Sequence, residues 1–205
     1  MTKYFLLITI LFCVSCNNNF SEDDKINNLI NKMSIEEKIG QMTQLTLGFL
    51  SSNDNQHDGS VKNIDTLKLI KAVQDYKVGS IFNSAGSAYS VEKWHGIINY
   101  IQSLSKENEN KIPVLYGIDA IHGATYTKNS TLFPHNIGLA ATRNIELIKS
   151  TAKATAREVR SSGIRWNFDP VLDVGREPLW PRFPETFGED PLLVSTMGAA
   201  VVSSY

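Results

Sequence analysis

Apolar positions recur along this chain in two rhythms, a three-to-four-residue helical spacing and short unbroken runs, and the two alternate. Ser34 and Glu37 form a capping box, and Ile35, Ile39 and Met42 follow at helical spacing, which predicts a helix starting near Ile35. Leu67, Ile70 and Val73 make the next stripe, closed by Gly79, and the apolar run over 78–82 predicts a buried strand. Val91, Trp94, Ile98 and Ile101 share one face of a further helix that decays into the polar run 106–111. Residues 112–118 predict a second strand. Asn144 caps a long helix through Ile145, Ile148, Ala152 and Val159, stopped by Gly163, and 164–168 predicts a third strand. Strands separated by whole helices imply a parallel sheet.

Five of the seven prolines fall between Pro170 and Pro191, so the stretch after the third strand is a long loop of fixed shape. Asp190 caps a last helix with Pro191 at its first position, and Leu193, Met197, Ala200 and Val201 continue it to the final residues. A strand-and-helix chain whose last helix is still apolar at its end is expected to have been cut short. Three strands are fewer than a closed parallel barrel needs, so open sheet edges are expected too.

The first residues follow another logic. Lys3, an apolar run over 4–14, then Ser15 and Cys16 have the layout of a signal peptide, too short to span a bilayer. A small residue directly before a cysteine resembles a bacterial lipoprotein signal, with Cys16 as the lipidated residue, although Cys13 stands where such signals usually carry leucine. The expected organisation is a leader over 1–16, a polar tether over 17–25 and a folded domain over 26–205, exported to the periplasm or anchored in the outer membrane through Cys16. Residues 51–60 read as a polar loop.

Composition narrows the classes. With 20 Lys and Arg against 21 Asp and Glu among 205 residues, the chain has no single-sign field for nucleic acid. Both cysteines lie in the leader, so the domain has no disulfide of its own and no thiolate metal site.

Three clusters carry chemistry, each at the carboxyl end of a strand or in the loop beyond, where parallel α/β folds place function. In 116–123, Asp119 follows an apolar run, where a carboxylate accepts hydrogen bonds from neighbouring hydroxyls or caps a turn. His122 fits a structural hydrogen bond better than catalysis. In 167–173, Asp169 and Asp173 are either paired carboxylates or hard-metal ligands, or they pin the loop through backbone N–H groups and Arg176. In 176–190, Trp180 and Phe183 stand among Arg176, Arg182 and Glu185, a mixture suited to a sugar whose C–H face stacks on a ring while its hydroxyls meet charges. Trp180, Phe183, Arg176 and Glu185 are candidates for sugar stacking or loop support. Asn129, Ser130 and Thr131 also spell a glycosylation acceptor, without meaning beside a bacterial leader.

In order along the chain, the runs 34–42, 117–123, 133–139 and 176–191 resemble the amino-terminal part of glycoside hydrolase family 3, its β-glucosidase branch. The resemblance implies an incomplete (β/α)8 TIM-type barrel, belonging to a retaining, exo-acting glycosidase that needs no cofactor or metal. It implies that Asp119 and Arg182 bind the terminal non-reducing sugar of a β-glucoside. Pro181 stands where the family's usual wording has glycine. The family's lysine–histidine pair, aspartate nucleophile and general acid come later in the chain than any residue here, so the resemblance implies no catalytic residue in this fragment. A β-xylosidase and a non-catalytic glycan-binding lipoprotein are the alternatives.

Overall fold

The computed structural model describes residues 21–52 and 64–205. The leader with Cys16, residues 17–20 of the tether and most of the polar loop lie outside the described residues. The chain divides into two units, 1–33 and 34–205. In the first, helix α1 (Glu22–Lys32) starts at a capping box: the Ser21 hydroxyl accepts the Asp24 N–H, and the Asp24 carboxylate accepts the Ser21 N–H. Residues 22–25, expected in the tether, are therefore its first turn, where Glu22, Asp23 and Asp24 favour the positive end of the helix dipole. Polarity alone suggested a tether, and it misled because acids are also helix starters.

The second unit runs α2 (Ile35–Gln41), β1 (Gln44–Thr46), α3 (Thr66–Ile70) with a π-helical turn (Lys71–Asp75), β2 (Ser80–Phe82), α4 (Val91–Lys106), β3 (Leu115–Ile118), α5 (Asn136–Ala141), α6 (Ile145–Ser161), β4 (Trp166–Asn167), a 3₁₀ turn (Phe183–Glu185) and α7 (Pro191–Val202). The strands lie in the order β1-β2-β3-β4, all parallel, with helices between them. This is the sheet of a partial (β/α)8 barrel. It has four strands where the apolar runs predicted three, because β1 is three residues long with a single apolar one, Leu45, too short to register as a run.

Register sorts the sheet into two faces. Ile81 pairs with Tyr116, and Ile118 with Asn167; Ile81, Tyr116 and Ile118 are buried beneath the helices. There they join Leu69, Val73, Trp94, Ile98, Ile101, Val159 and Ile164 in one core. On the other face Phe82, Gly117 and Trp166 are in register, and Leu115 and Trp166 are exposed. Trp94 is the pivot of the core: its ring packs edge-on against Tyr89 and Tyr116, and its indole N–H donates to Tyr126 O at 3.1 Å. A second core joins α5, α6 and α7 through Leu139, Ile148, Phe187, Val194 and Met197.

Two details depart from the predicted stripes. Of the predicted stripe, Val73 is buried and Ile70 half-buried against the core, but Leu67 is exposed, and Leu69 and Ala72 are buried in its stead. Five apolar residues within 67–73 leave the phase of the stripe open in the sequence. On α2 the stripe of Ile35, Ile39 and Met42 is exposed, and the buried residue is Gly40. The predicted caps at Ser34, Asn144 and Asp190 all hold, each accepting a first-turn N–H. Among the described residues no helix is long and apolar enough to cross a membrane.

Gly79 has a different task from the helix stop its position suggested. The left-handed residue after the π turn is Lys77, at φ 54°. Gly79 is where the entry to β2 meets the end of α2: its N–H donates to Gly40 O at 2.9 Å, and a Cβ there would lie 2.1 Å from Gln41 O. Because that neighbour is backbone, Gly79→Ala is expected to cost about 2–3 kcal/mol, read as a lower denaturation midpoint at unchanged m-value.

Asp169, joined to Pro170 by a cis peptide bond, ties the end of β4 to the end of α7. Its carboxylate accepts from Tyr205 Oη and, at 3.4 Å, from Asn136 Nδ2. Burial pushes this carboxyl from 3.8 up to about 6, against the pull of those two donors and with help from the charge of Glu185. A carboxyl raised in the folded state supports the fold while protonated and loses that support as pH rises from about 4 to about 6. Asp169→Asn should therefore gain about 2 kcal/mol on the wild type between those limits, checked by chemical denaturation across the range.

Candidate functional site

The carboxyl ends of β2, β3 and β4 meet in one place, and two asparagines organise it. The β3 ladder ends at Ile118, leaving the next amides without a strand partner. Asn83, directly after β2, accepts the Asp119 N–H on its Oδ1 at 3.0 Å. Asn167, the last residue of β4, accepts the Ala120 N–H on its Oδ1 at 2.9 Å. The pair Asp119 and Ala120 is thereby held from the strands on both sides, Asp119 by Asn83 and Ala120 by Asn167. Asn83 Nδ2 also donates to Asp119 Oδ2 at 2.7 Å, while Oδ1 of Asp119 has no hydrogen-bond partner among the described residues.

The chain then turns sharply. Gly123 sits at φ 100°, and a Cβ there would lie 2.1 Å from Thr131 O, so the turn that brings His122 back over the site needs glycine. His122 Nδ1 lies 3.2 Å from Phe133 O, and its ring lies 4.2 Å from that of His135. Burial, then the neighbouring His135, lower the His122 pKa, opposed by the Phe133 carbonyl and the charge of Glu185. The structural reading of His122 is thus the one its contacts support. His135 Nδ1 is buried and has no partner among the described residues.

The loop after β4 supplies the positive charge. Arg182 donates through Nε and Nη2 to Oε2 of Glu185, each at 2.7 Å, in the 3₁₀ turn that follows it. The Arg182 side chain is half exposed whereas that of Glu185 is mostly buried, so the pair presents the arginine outward. The Glu185 hydrogen bond, and then the negative charges of Glu185, Asp119 and Asp173, raise the guanidinium pKa against the effect of burial. Tyr126 is raised by burial, then by Asp119 and Glu185. Asp119, Arg182, Glu185, Tyr126 and His122 thus share one electrostatic neighbourhood. What it offers chemically is an acceptor carboxylate oxygen and guanidinium donors, suited to a neutral ligand rich in hydroxyls.

The remaining candidates separate. Phe183 packs against Gly175, whose Cβ would lie 2.9 Å from its ring, which is support of the loop. Trp180 is half-buried, and its backbone joins the turns 177–180 and 180–183. Arg176 is exposed and forms none of the ion pairs among the described residues. The expected pinning of Asp169 and Asp173 by Arg176 is therefore corrected: Asp169 is held by Tyr205 and Asn136, and the loop is clamped by Arg182 with Glu185 and by Gly175 N–H on Gly188 O. Among the described residues no three His, Cys, Asp or Glu side chains gather to hold a metal ion. Asn83 went unread in the sequence because its bonds reach across 36 residues and no spacing signals them.

Comparison with known proteins shows the family to which the fold belongs. The family description "Glycosyl hydrolase family 3 N terminal domain" matches residues 34–205. A lysosomal beta glucosidase of Dictyostelium discoideum is 44% identical over 200 residues, covering 92% of this chain and 24% of that protein. A periplasmic beta-glucosidase of Salmonella typhimurium is 29% identical, covering 90% of this chain and 21% of its own. An exo-1,3/1,4-beta-glucanase from a Pseudoalteromonas species superposes with a TM-score of 0.72 at 31% identity, over 88% of this chain and 21% of that one. The chain spans about a quarter of the length of these relatives. Through residues 34–205 it belongs to glycosyl hydrolase family 3, as that family's N-terminal domain.

Proposed function

We propose that this chain supplies the sugar-holding side of an exo-acting, retaining β-glucosidase. The observation that carries the reading is the Asp119 carboxylate at the end of β3, one oxygen held by Asn83 and the other without a partner among the described residues, in the field of Arg182. Asp119 accepts hydrogen bonds from hydroxyls of the terminal non-reducing glucose, and Arg182 donates to the same ring. Glu185 keeps the guanidinium turned to the sugar, and Trp180 borders the loop that carries it. The names of the relatives, beta-glucosidase and exo-beta-glucanase, support this substrate class.

In a protein of the relatives' length, an aspartate outside 34–205 attacks the anomeric carbon and a second carboxyl protonates the departing oxygen. Water, deprotonated by that second carboxylate, then opens the glycosyl-enzyme ester from the face the leaving group vacated, releasing the aspartate and the sugar with retention. Charged hydrogen bonds from Asp119 and Arg182 hold the ring in line and strengthen as it flattens. Discrimination against xylose, which lacks only a hydroxymethyl group, is modest in such a pocket. Export follows from the leader, with Cys16 carrying lipid and 17–20 leading to the folded part; the periplasmic relative supports that location.

D-glucose titrated into the chain should perturb the amide of Asp119 and the guanidinium of Arg182 in nuclear magnetic resonance spectra. Asp119→Ala and Arg182→Ala should each weaken binding about tenfold or more, since a charged hydrogen bond is worth about 1.5–3 kcal/mol. Unchanged affinity in both variants contradicts the assignment. A chain of residues 17–205 is expected to release no chromophore from an aryl β-glucoside, and turnover above the blank contradicts a purely sugar-holding role.

A further inference from the structure

We infer that Asn83 is a positioning residue that fixes which oxygen of Asp119 a ligand meets; the ligand is the sugar hydroxyl of the reading above, on which this inference rests. Asn83 sits at φ 56°, a left-handed conformation in which asparagine is among the few tolerated side chains. There its four polar groups all go to β3 and the residue just beyond. Its N–H donates to Gly117 O at 3.0 Å and its carbonyl accepts from Tyr116 Oη at 2.6 Å. Burial raises Tyr116 well above its ordinary pKa, so that phenol remains a donor. Its side-chain oxygen takes the Asp119 N–H, and its side-chain nitrogen donates to Asp119 Oδ2.

Binding both the backbone and the carboxylate of one residue closes a ring that sets the Asp119 side-chain torsion. The chemistry also fixes the amide's orientation, since a flip would set oxygen against carboxylate and N–H against N–H. Few residues can do this. Aspartate would oppose two carboxylates at 2.7 Å, glutamine is a methylene too long, and serine has one atom where two are used. With Oδ2 occupied by Asn83, Oδ1 is the Asp119 oxygen without a partner among the described residues, on a carboxylate whose charge both Arg182 and Tyr126 feel. With all four of its polar groups engaged within the protein, Asn83 acts on a ligand through Asp119. Its effect is to exclude the rotamers of Asp119 in which a hydroxyl would find the wrong oxygen.

The test uses the whole chain, isotopically labelled, with Asn83→Ala and Asn83→Asp. Side-chain couplings of Asp119 should report a single rotamer in the wild type and averaging in N83A, with D-glucose bound about tenfold more weakly and amides distant from 81–84 and 116–120 unmoved. N83D should resemble N83A at about pH 7.5 and recover the rotamer and affinity at about pH 5 relative to the wild type at the same pH. There the introduced carboxyl, once protonated, can again donate to Oδ2 while accepting from the Asp119 N–H. Acid recovery is a signature that loss of packing would not produce, and it carries the test if N83A fails to fold. An unchanged Asp119 rotamer in N83A, or N83D without acid recovery, overturns the inference. Loss of the rotamer in a chain whose wild type ignores glucose supports the positioning role and overturns the sugar reading instead.

Discussion

A parallel strand that ends leaves amides with nothing to bond, and in this protein the end of β3 is completed from both sides by asparagine side chains. Asn83 on β2's exit and Asn167 on β4 take the N–H groups of Asp119 and Ala120. An orphaned amide in a half-buried position costs about 1–3 kcal/mol, so these bonds fix where the chain goes after Ile118. The turn at Gly123 and the tilted pair His122 and His135 build on that fixed exit. The Asn83 bonds that terminate the sheet also hold Oδ2 of Asp119, leaving Oδ1 without a partner among the described residues.

The charged partner arrives by an independent route. The loop after β4 is stiffened by prolines, closed by Gly175 on Gly188 and clamped by Arg182 on Glu185. Its Phe187 is buried in the core of α5, α6 and α7. Two separate cores thus hold the two halves of the site, the sheet core behind Asp119 and the helical core behind Arg182.

Much of the fold was legible in the sequence, and the failures have definite causes. Long amphipathic helices with caps, such as α4 and α6, announce themselves through period and terminal chemistry, and both formed within a residue or so of expectation. The strand β1 did not, because three residues held by pairing with β2 have no pattern of their own. Helix α1 was hidden by its polarity. At the site, Asp119, Arg182 and Glu185 were visible through local motifs and resemblance, while Asn83 and the Tyr205–Asp169 bond were not. Those contacts join residues more than 30 positions apart and exist only once the sheet has assembled.

In the proposed site the end of β3 presents Asp119 and the loop after β4 presents Arg182 to one sugar ring. A crystal of this chain soaked in concentrated glucose tests it most directly. The account predicts one glucose with a hydroxyl in hydrogen-bond distance of Asp119 Oδ1 and another near the Arg182 guanidinium. Density for the sugar elsewhere, as in the groove lined by Lys153, Arg157, Trp166 and Tyr205, with the Asp119 oxygen still vacant, would contradict it.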